Sequence, residues 1–140
     1  NPAIPCLTNW KDALERPGAA SITHLRKILE VRPFHKLIPD QSVIYGFNND
    51  DSTHLRAAVS EDKDFLLVYL ALGQKVSLTM GKVKAKNVNV AWYNPAEGRL
   101  VTAQAVENTG IKEFVPPSSG KGNDWLLILE DPQAGLPPVN

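Results

Sequence analysis

The chain has 140 residues and carries 15 basic and 15 acidic side chains, so its formal net charge is zero. The lack of a basic excess argues against a nucleic-acid partner, and a single cysteine, Cys6, excludes both an internal disulfide and a zinc site built on thiolates. The longest apolar run, Phe65 to Leu72, is far shorter than the ~20 residues that a membrane-spanning helix needs.

The first 41 residues are predicted to contain one helix. Prolines punctuate residues 1–19, with room for a helical turn around Asn9 to Glu15. From Ser21, apolar side chains recur at the three-to-four spacing of one helical face, and Pro33 ends the pattern. These side chains are Ile22, Leu25, Ile28 and Leu29. A single amphipathic helix must bury such a stripe on something else.

The pattern changes to short strands separated by polar turns after residue 41. The predicted strands are Ser42 to Phe47, His54 to Ser60, Phe65 to Leu72, Val76 to Met80, Val88 to Tyr93, Leu100 to Val106, Ile111 to Val115 and Trp125 to Leu129. No helical pattern separates them, which disfavours parallel βαβ units. The sequence therefore predicts a mainly β protein, an antiparallel β-sandwich of about eight strands preceded by one α-helix.

Two of these strands lack a polar face. Phe65 to Leu72 and Trp125 to Leu129 should be central strands that are covered on both sides. The second sheet can cover one side, and the N-terminal helix or a domain outside this chain must cover the other. The tail, residues 132–140, is rich in proline and is expected to be loose.

No catalytic constellation emerges from the residues. His24, His35 and His54 lack metal-site spacing, and the acidic residues fall in turns, where solvation is expected. Neither a phosphate-binding glycine loop nor a nucleophile elbow is present. We therefore predict no catalytic residue, no metal and no cofactor for this chain.

Tyr93, His54 and Arg56 are the candidate ligand contacts. Trp92 falls in register with the core-facing valines of its strand and is predicted to pack inside, as is Trp125. Tyr93 points to the opposite face from Trp92, and His54 and Arg56 alternate with apolar residues, so all three are expected to face outward.

A set of motifs in a fixed order extends this interpretation. The segments are Leu37 to Ser42, Leu55 to Ala57, Val90 to Pro95, Phe114 to Pro117 and Gly122 to Leu129. Together they resemble the family described as the putative collagen-binding domain of a collagenase. That family forms the C-terminal β-sandwich of larger bacterial proteins, which are similar to apiosidase-like glycoside hydrolases with a TIM-barrel catalytic domain.

The resemblance implies a division of the chain and a role for it. Residues 1–41 would correspond to the end of a barrel domain, residues 42–131 to the accessory sandwich, and residues 132–140 to the tail. The implied function is a non-catalytic accessory domain of a secreted or periplasmic bacterial glycoside hydrolase, packed on the catalytic barrel. The alternative is a carbohydrate- or collagen-binding module, which Tyr93, His54 and Arg56 would serve.

Overall fold

The computed structural model of the chain describes residues 9–139. Two helices lead the fold, α1 (Trp10–Ala13) and α2 (Pro17–Val31), and a first 3-10 turn follows at Phe34–Lys36. Helix α2 begins four residues before the predicted start because Pro17 occupies its first turn, where a missing N–H costs nothing. The predicted stop before Pro33 is confirmed, since α2 ends at Val31.

Eight strands follow, all paired antiparallel. They are β1 (Leu37–Pro39), β2 (Leu55–Ser60), β3 (Phe65–Leu70), β4 (Val76–Thr79), β5 (Asn87–Asn94), β6 (Arg99–Glu107), β7 (Ile111–Phe114) and β8 (Trp125–Glu130). Six of them form one sheet in the order β1-β2-β3-β8-β5-β6, and β4 pairs with β7 in a second sheet. The predicted mainly β class, antiparallel pairing and leading helix are confirmed.

One predicted strand is wrong and one strand was missed. Ser42 to Phe47 holds a 3-10 turn at Gln41–Val43 and a single bridge from Ile44 to Leu78. The Asp40 carboxylate accepts a hydrogen bond from the Ser42 amide at 3.0 Å and thereby caps that turn. The segment crosses from the first sheet to the second instead of pairing along its length. The missed strand, β1, has only three residues, which are too few to show an alternation of apolar and polar side chains.

The main core lies between the two sheets. Alternate residues of β2, β3, β5 and β8 meet β4, β7 and the 3-10 segment, where Val43, Val68, Leu78, Val88 and Leu127 have no measurable exposure. Trp92 and Trp125 pack edge to face inside this core, with ring centroids 6.3 Å apart. The predicted burial of both tryptophans is confirmed.

A second, smaller core covers the outer face of the six-stranded sheet. It contains Ile28 of α2, Phe65 and Leu67 of β3, Tyr93 of β5, Ile128 of β8 and Val139 of the tail. Strands β3 and β8 are thus covered on both sides, as their lack of a polar face predicted. The tail does not match the expectation of a loose segment, because Val139 is buried and Leu136 packs against the same cluster.

Candidate functional site

Helix α2 presents an apolar stripe away from the sheet. Ile28 is 2% exposed and holds the helix on the outer core. Leu25 lies three residues before Ile28 and Ile22 three residues before Leu25, and they are 51% and 63% exposed. Leu29, at the edge of this stripe, is half-buried. The predicted stripe is therefore divided, with one part buried in this chain and the other open.

Exposed large apolar side chains concentrate in the N-terminal part of the described chain. Trp10, Leu14 and Phe34 join Ile22 and Leu25 among those more than half exposed. Surfaces that gather such side chains are typical of interaction sites, whereas single exposed apolar residues are ordinary. We call Trp10, Leu14, Ile22, Leu25 and Phe34 the N-terminal apolar set.

Tyr93 anchors α2 to the outer face of the six-stranded sheet. Its hydroxyl donates to the His24 carbonyl oxygen at 3.0 Å, and its side chain is 1% exposed. Burial raises the pKa of this phenol, because the charged form would lose solvation. The expectation of an exposed Tyr93 is wrong for a simple reason. The side chain does point away from Trp92, but the outer face there lies under α2.

The β5–β6 turn gives α2 a second point of attachment. A turn follows Asn94, and His24 donates from Nδ1 to the Pro95 carbonyl oxygen at 3.1 Å. Gly98 has a φ of +68°, and a Cβ atom built there would lie 2.4 Å from the His24 ring. Glycine at this position permits both the backbone conformation and the close approach of the helix.

Arg32 joins three parts of the chain at the end of α2. The guanidinium is buried and donates to Glu130 Oε1 of β8 at 2.6 Å, to the Val31 carbonyl and to the Pro137 carbonyl. A buried cation needs a partner charge and hydrogen bonds, and this one has both. Sequence reasoning did not predict this role, since Glu130 and Pro137 lie about a hundred positions away.

His54 and Arg56 lie in contact at the start of β2. The expected outward orientation fits Arg56, which is exposed, whereas the His54 side chain is only 16% exposed. His54 precedes β2 and is held by the loop before it. The Asn49 carbonyl can only accept, so His54 Nδ1 donates to it, and Nε2 accepts from the Arg56 guanidinium. Both imidazole nitrogens are therefore occupied within the chain. Arg56 is exposed and keeps other N–H groups free to meet a ligand.

The loop before β2 carries two exposed aromatic rings. Phe47 is 90% exposed, and Tyr45 is also largely exposed. The loop itself is ordered by Asn48, whose side-chain amide exchanges two hydrogen bonds with the backbone of Leu55, at 2.9 and 3.0 Å. Sequence reasoning did not identify these rings as exposed, because it predicted a strand there. They add apolar surface to a loop that is otherwise polar.

A shallow apolar groove runs over the outer face of β2 and β3. Its volume is about 290 Å³, and its lining includes Leu37, Ala58, Leu67, Tyr69 and Leu126. The Tyr69 hydroxyl donates to Asp124 Oδ2 at 3.1 Å. Burial first, and the Asp124 charge second, raise the pKa of this phenol. The groove offers contact surface but no reactive group.

Catalytic machinery is not apparent in the part of the chain that the structure describes. Over residues 9–139 no group of three or more metal-ligating side chains converges. Within the same residues, none of the helices has the length and apolar character needed to cross a membrane. What the described surface offers is contact area, in the N-terminal apolar set and around the loop before β2.

Comparisons with known proteins relate this chain to one family and to parts of two larger solved structures. Residues 38–130 match the family described as "Putative collagen-binding domain of a collagenase". A solved glycoside hydrolase is 28% identical with a TM-score of 0.81, over 94% of this chain and 30% of its own. A glycoside hydrolase family 5 protein from Bacteroides vulgatus ATCC 8482 is 30% identical with a TM-score of 0.80, over 89% and 26%. The chain thus spans less than a third of either structure, and curated proteins yielded no match.

Proposed function

Because the chain belongs to the family described as the putative collagen-binding domain of a collagenase, with its match covering residues 38–130, we propose that it is the non-catalytic accessory domain of a glycoside hydrolase. Its role is to pack on and stabilise a catalytic TIM-barrel domain. The similar glycoside hydrolases, of which this chain covers less than a third, support the proposal. We place the protein outside the bacterial cytoplasm, where such enzymes meet polysaccharides.

The exposed stripe on α2 is the observation that carries this proposal. Ile22 and Leu25 are exposed on a helix whose other face is already anchored by Ile28 and Tyr93. A helix that is apolar beyond its buried face is typical of an element shared by two packed layers. We propose that the catalytic domain supplies the second layer and covers the N-terminal apolar set.

Dye binding to the chain tests the open surface. We expect 8-anilinonaphthalene sulfonate to fluoresce with the native chain and to lose a measurable part of that signal when Ile22 and Leu25 are both changed to Gln. A matched control changes Val101 and Val115, which are exposed elsewhere, to Gln and should leave the signal unchanged. Equal signals from all three proteins would contradict the proposed surface.

The gene provides an independent test. Upstream of the codon for Asn1 we expect about 300 codons with the alternating βα periodicity of a barrel, a length within the size range of that fold. In the protein expressed from that longer reading frame, the same two Gln substitutions should lower thermal stability. An upstream region without this periodicity would remove the proposed partner.

A carbohydrate- or collagen-binding module is the second candidate. The observation in its favour is the exposed Phe47 ring on the loop before β2, together with the exposed Arg56 near the start of that strand. An aromatic ring can pack against an apolar ligand face, and a guanidinium binds hydroxyl or carboxylate oxygens. Tyr93 is buried and therefore cannot contact a ligand at this surface. His54 would act by orienting Arg56.

Binding to a panel of plant polysaccharides and to triple-helical collagen distinguishes the two candidates. If this loop binds, Phe47→Ala and Arg56→Ala should each weaken retention, whereas Tyr45→Ala serves as the neighbouring aromatic control. Retention that is unchanged in both variants would exclude the loop as the binding site.

A further inference from the structure

Helix α2 runs obliquely over the outer face of the six-stranded sheet. Its first half lies against the β5–β6 turn, where the His24 ring is close to Pro95 and Gly98. Just past its last residue, Arg32 reaches Glu130 at the other end of β8, and the chain then continues to β1 at the far edge of the sheet. A helix placed in this way covers the middle of the sheet and leaves a corner of the outer face on either side.

The chain's own tail fills one of these corners, and the other stays open. Over β5 and β6, Leu136 and Val139 of the tail pack into the outer core. Over β1, β2 and β3 lies a shallow groove of about 290 Å³, and within residues 9–139 neither α2 nor the tail contributes to its lining. We call it the β2–β3 groove. Its apolar lining includes Leu37, Ala58, Leu67, Tyr69 and Leu126.

The β2–β3 groove has the chemistry of a covered surface. Ala58 pairs with Leu67 across the β2–β3 ladder, and its short side chain leaves a depression there. Tyr69, on the same face two residues further along β3, is 39% exposed. Gln41 and Arg56 are the longer polar side chains of the lining. Because a sheet face that meets water usually carries polar side chains, these apolar ones indicate a face that another element covers.

Helix α2 turns an apolar side towards this groove. Successive residues of a helix are rotated by about 100° around its axis. His24 faces the β5–β6 turn and Ile28 faces the sheet, so Leu25, about 60° beyond Ile28 in the same sense, faces the side of β3 and β2. Leu29 and Ile22 follow Leu25 around the helix on that side. The groove and this side of α2 therefore form one concave apolar corner.

The corner has the width of a single helix. Neighbouring strands are about 4.8 Å apart, so β1 to β3 span about 10 Å, which is also the diameter of a helix with its side chains and the usual distance between packed helices. Helices form the outer ring of a TIM barrel and are what such a barrel presents to a neighbour. In the two similar glycoside hydrolases, more than two thirds of the chain lies outside the part that this protein matches.

We propose that one amphipathic helix of the catalytic domain lies beside α2 in the β2–β3 groove. Its apolar stripe contacts Leu25 on one side and Ala58 and Tyr69 below, and the outer face of the sheet then carries a layer of two helices. The guanidinium of Arg56 is exposed, so the flank of this helix that meets it carries a carboxylate. This inference rests on the proposed accessory function and specifies where and through which element the catalytic domain makes its contact.

Alkylation of single introduced cysteines locates the contact. With Cys6 changed to Ser, Tyr69→Cys or Ala58→Cys places a thiol in the groove and Leu25→Cys places one on α2. Each variant is made in this chain alone and in the longer protein from the upstream reading frame. Iodoacetamide should react with the three thiols at least about tenfold more slowly in the longer protein. Ile111→Cys is the control, because it is exposed on β7 of the other sheet and should react equally in both.

The pattern of protection separates this inference from the proposed function. Slow reaction at Leu25→Cys with unchanged rates at Tyr69→Cys and Ala58→Cys overturns the helix in the groove, while packing on α2 stands. Slow reaction in the groove with an unchanged rate at Leu25→Cys overturns the two-helix layer. Unchanged rates at all three positions contradict both proposals. If Tyr69→Cys does not fold, Ala58→Cys decides the result, because it adds only one sulfur atom at a half-buried position.

Discussion

Two isoleucines on α2 should respond very differently to the same substitution. Replacing Ile28 with alanine removes about three buried carbon groups, worth about 2.4 kcal/mol of transfer free energy. The cavity left under the helix raises the expected loss of unfolding free energy to about 3 kcal/mol. Ile22 keeps only about a third of its surface covered, and alanine favours the helix by ~0.4 kcal/mol. Ile22→Ala should therefore cost about 0.5 kcal/mol or less.

Urea denaturation measures both values. Far-UV circular dichroism and the fluorescence of the core tryptophans, Trp92 and Trp125, should give one transition with an unchanged slope. A loss below about 1 kcal/mol for Ile28→Ala would refute the packing of α2 on the sheet through this face. Equal losses for Ile22→Ala and Ile28→Ala would refute the assignment of buried and open sides. In a protein that includes the proposed catalytic domain, the cost at Ile22 should increase.

Three further changes probe the attachment of α2 and one cap. Gly98→Ala should destabilise the chain by more than about 1 kcal/mol in urea denaturation, because a Cβ there meets the His24 ring and φ is positive. Tyr93→Phe should cost about 1 kcal/mol by the same assay, since one buried hydrogen bond is lost while the ring stays. Asp40→Asn should lower stability at pH 7 and progressively less as pH falls below 4. Hydrogen bonds from Ser42 and then Lys82 hold the pKa of Asp40 below its unfolded value, so their stabilisation is present above that value and lost on acidification. A difference between Asp40→Asn and the unchanged chain that is constant from pH 7 to pH 3 would contradict this assignment.

The sequence was sufficient to predict the mainly β class and to predict that β3 and β8 are covered on both faces. Alternation and the lack of a polar face are local signals, and they located most strands to within two residues. It was not sufficient where a distant element decides exposure. Tyr93 was assigned its correct side of the strand, yet whether that side meets solvent depends on α2, about 70 positions away. The same dependence on distant partners explains why the role of Arg32 was not predicted and why the tail was predicted to be loose.

Local competition explains the remaining errors. Ser42 to Phe47 has the apolar character of a strand, but the Asp40 side chain offers its backbone an alternative hydrogen bond and a turn results. The sequence does not reveal that both ring nitrogens of His54 are hydrogen-bonded, because their partners are a loop carbonyl and the Arg56 guanidinium. The proposed accessory role came from the family resemblance and was not indicated by the residues alone.

The outer core has a practical consequence for dividing this protein into expressible pieces. The family match begins at residue 38 and ends at residue 130, so a piece cut at those bounds loses both α2 and the tail. Those two segments supply Ile28 and Val139, which cover Phe65, Tyr93 and Ile128. Such a piece would present these three side chains to water and would leave Glu130 without Arg32. We therefore expect a stably folded piece to extend beyond the family match at both ends, so that it keeps α2 and the tail.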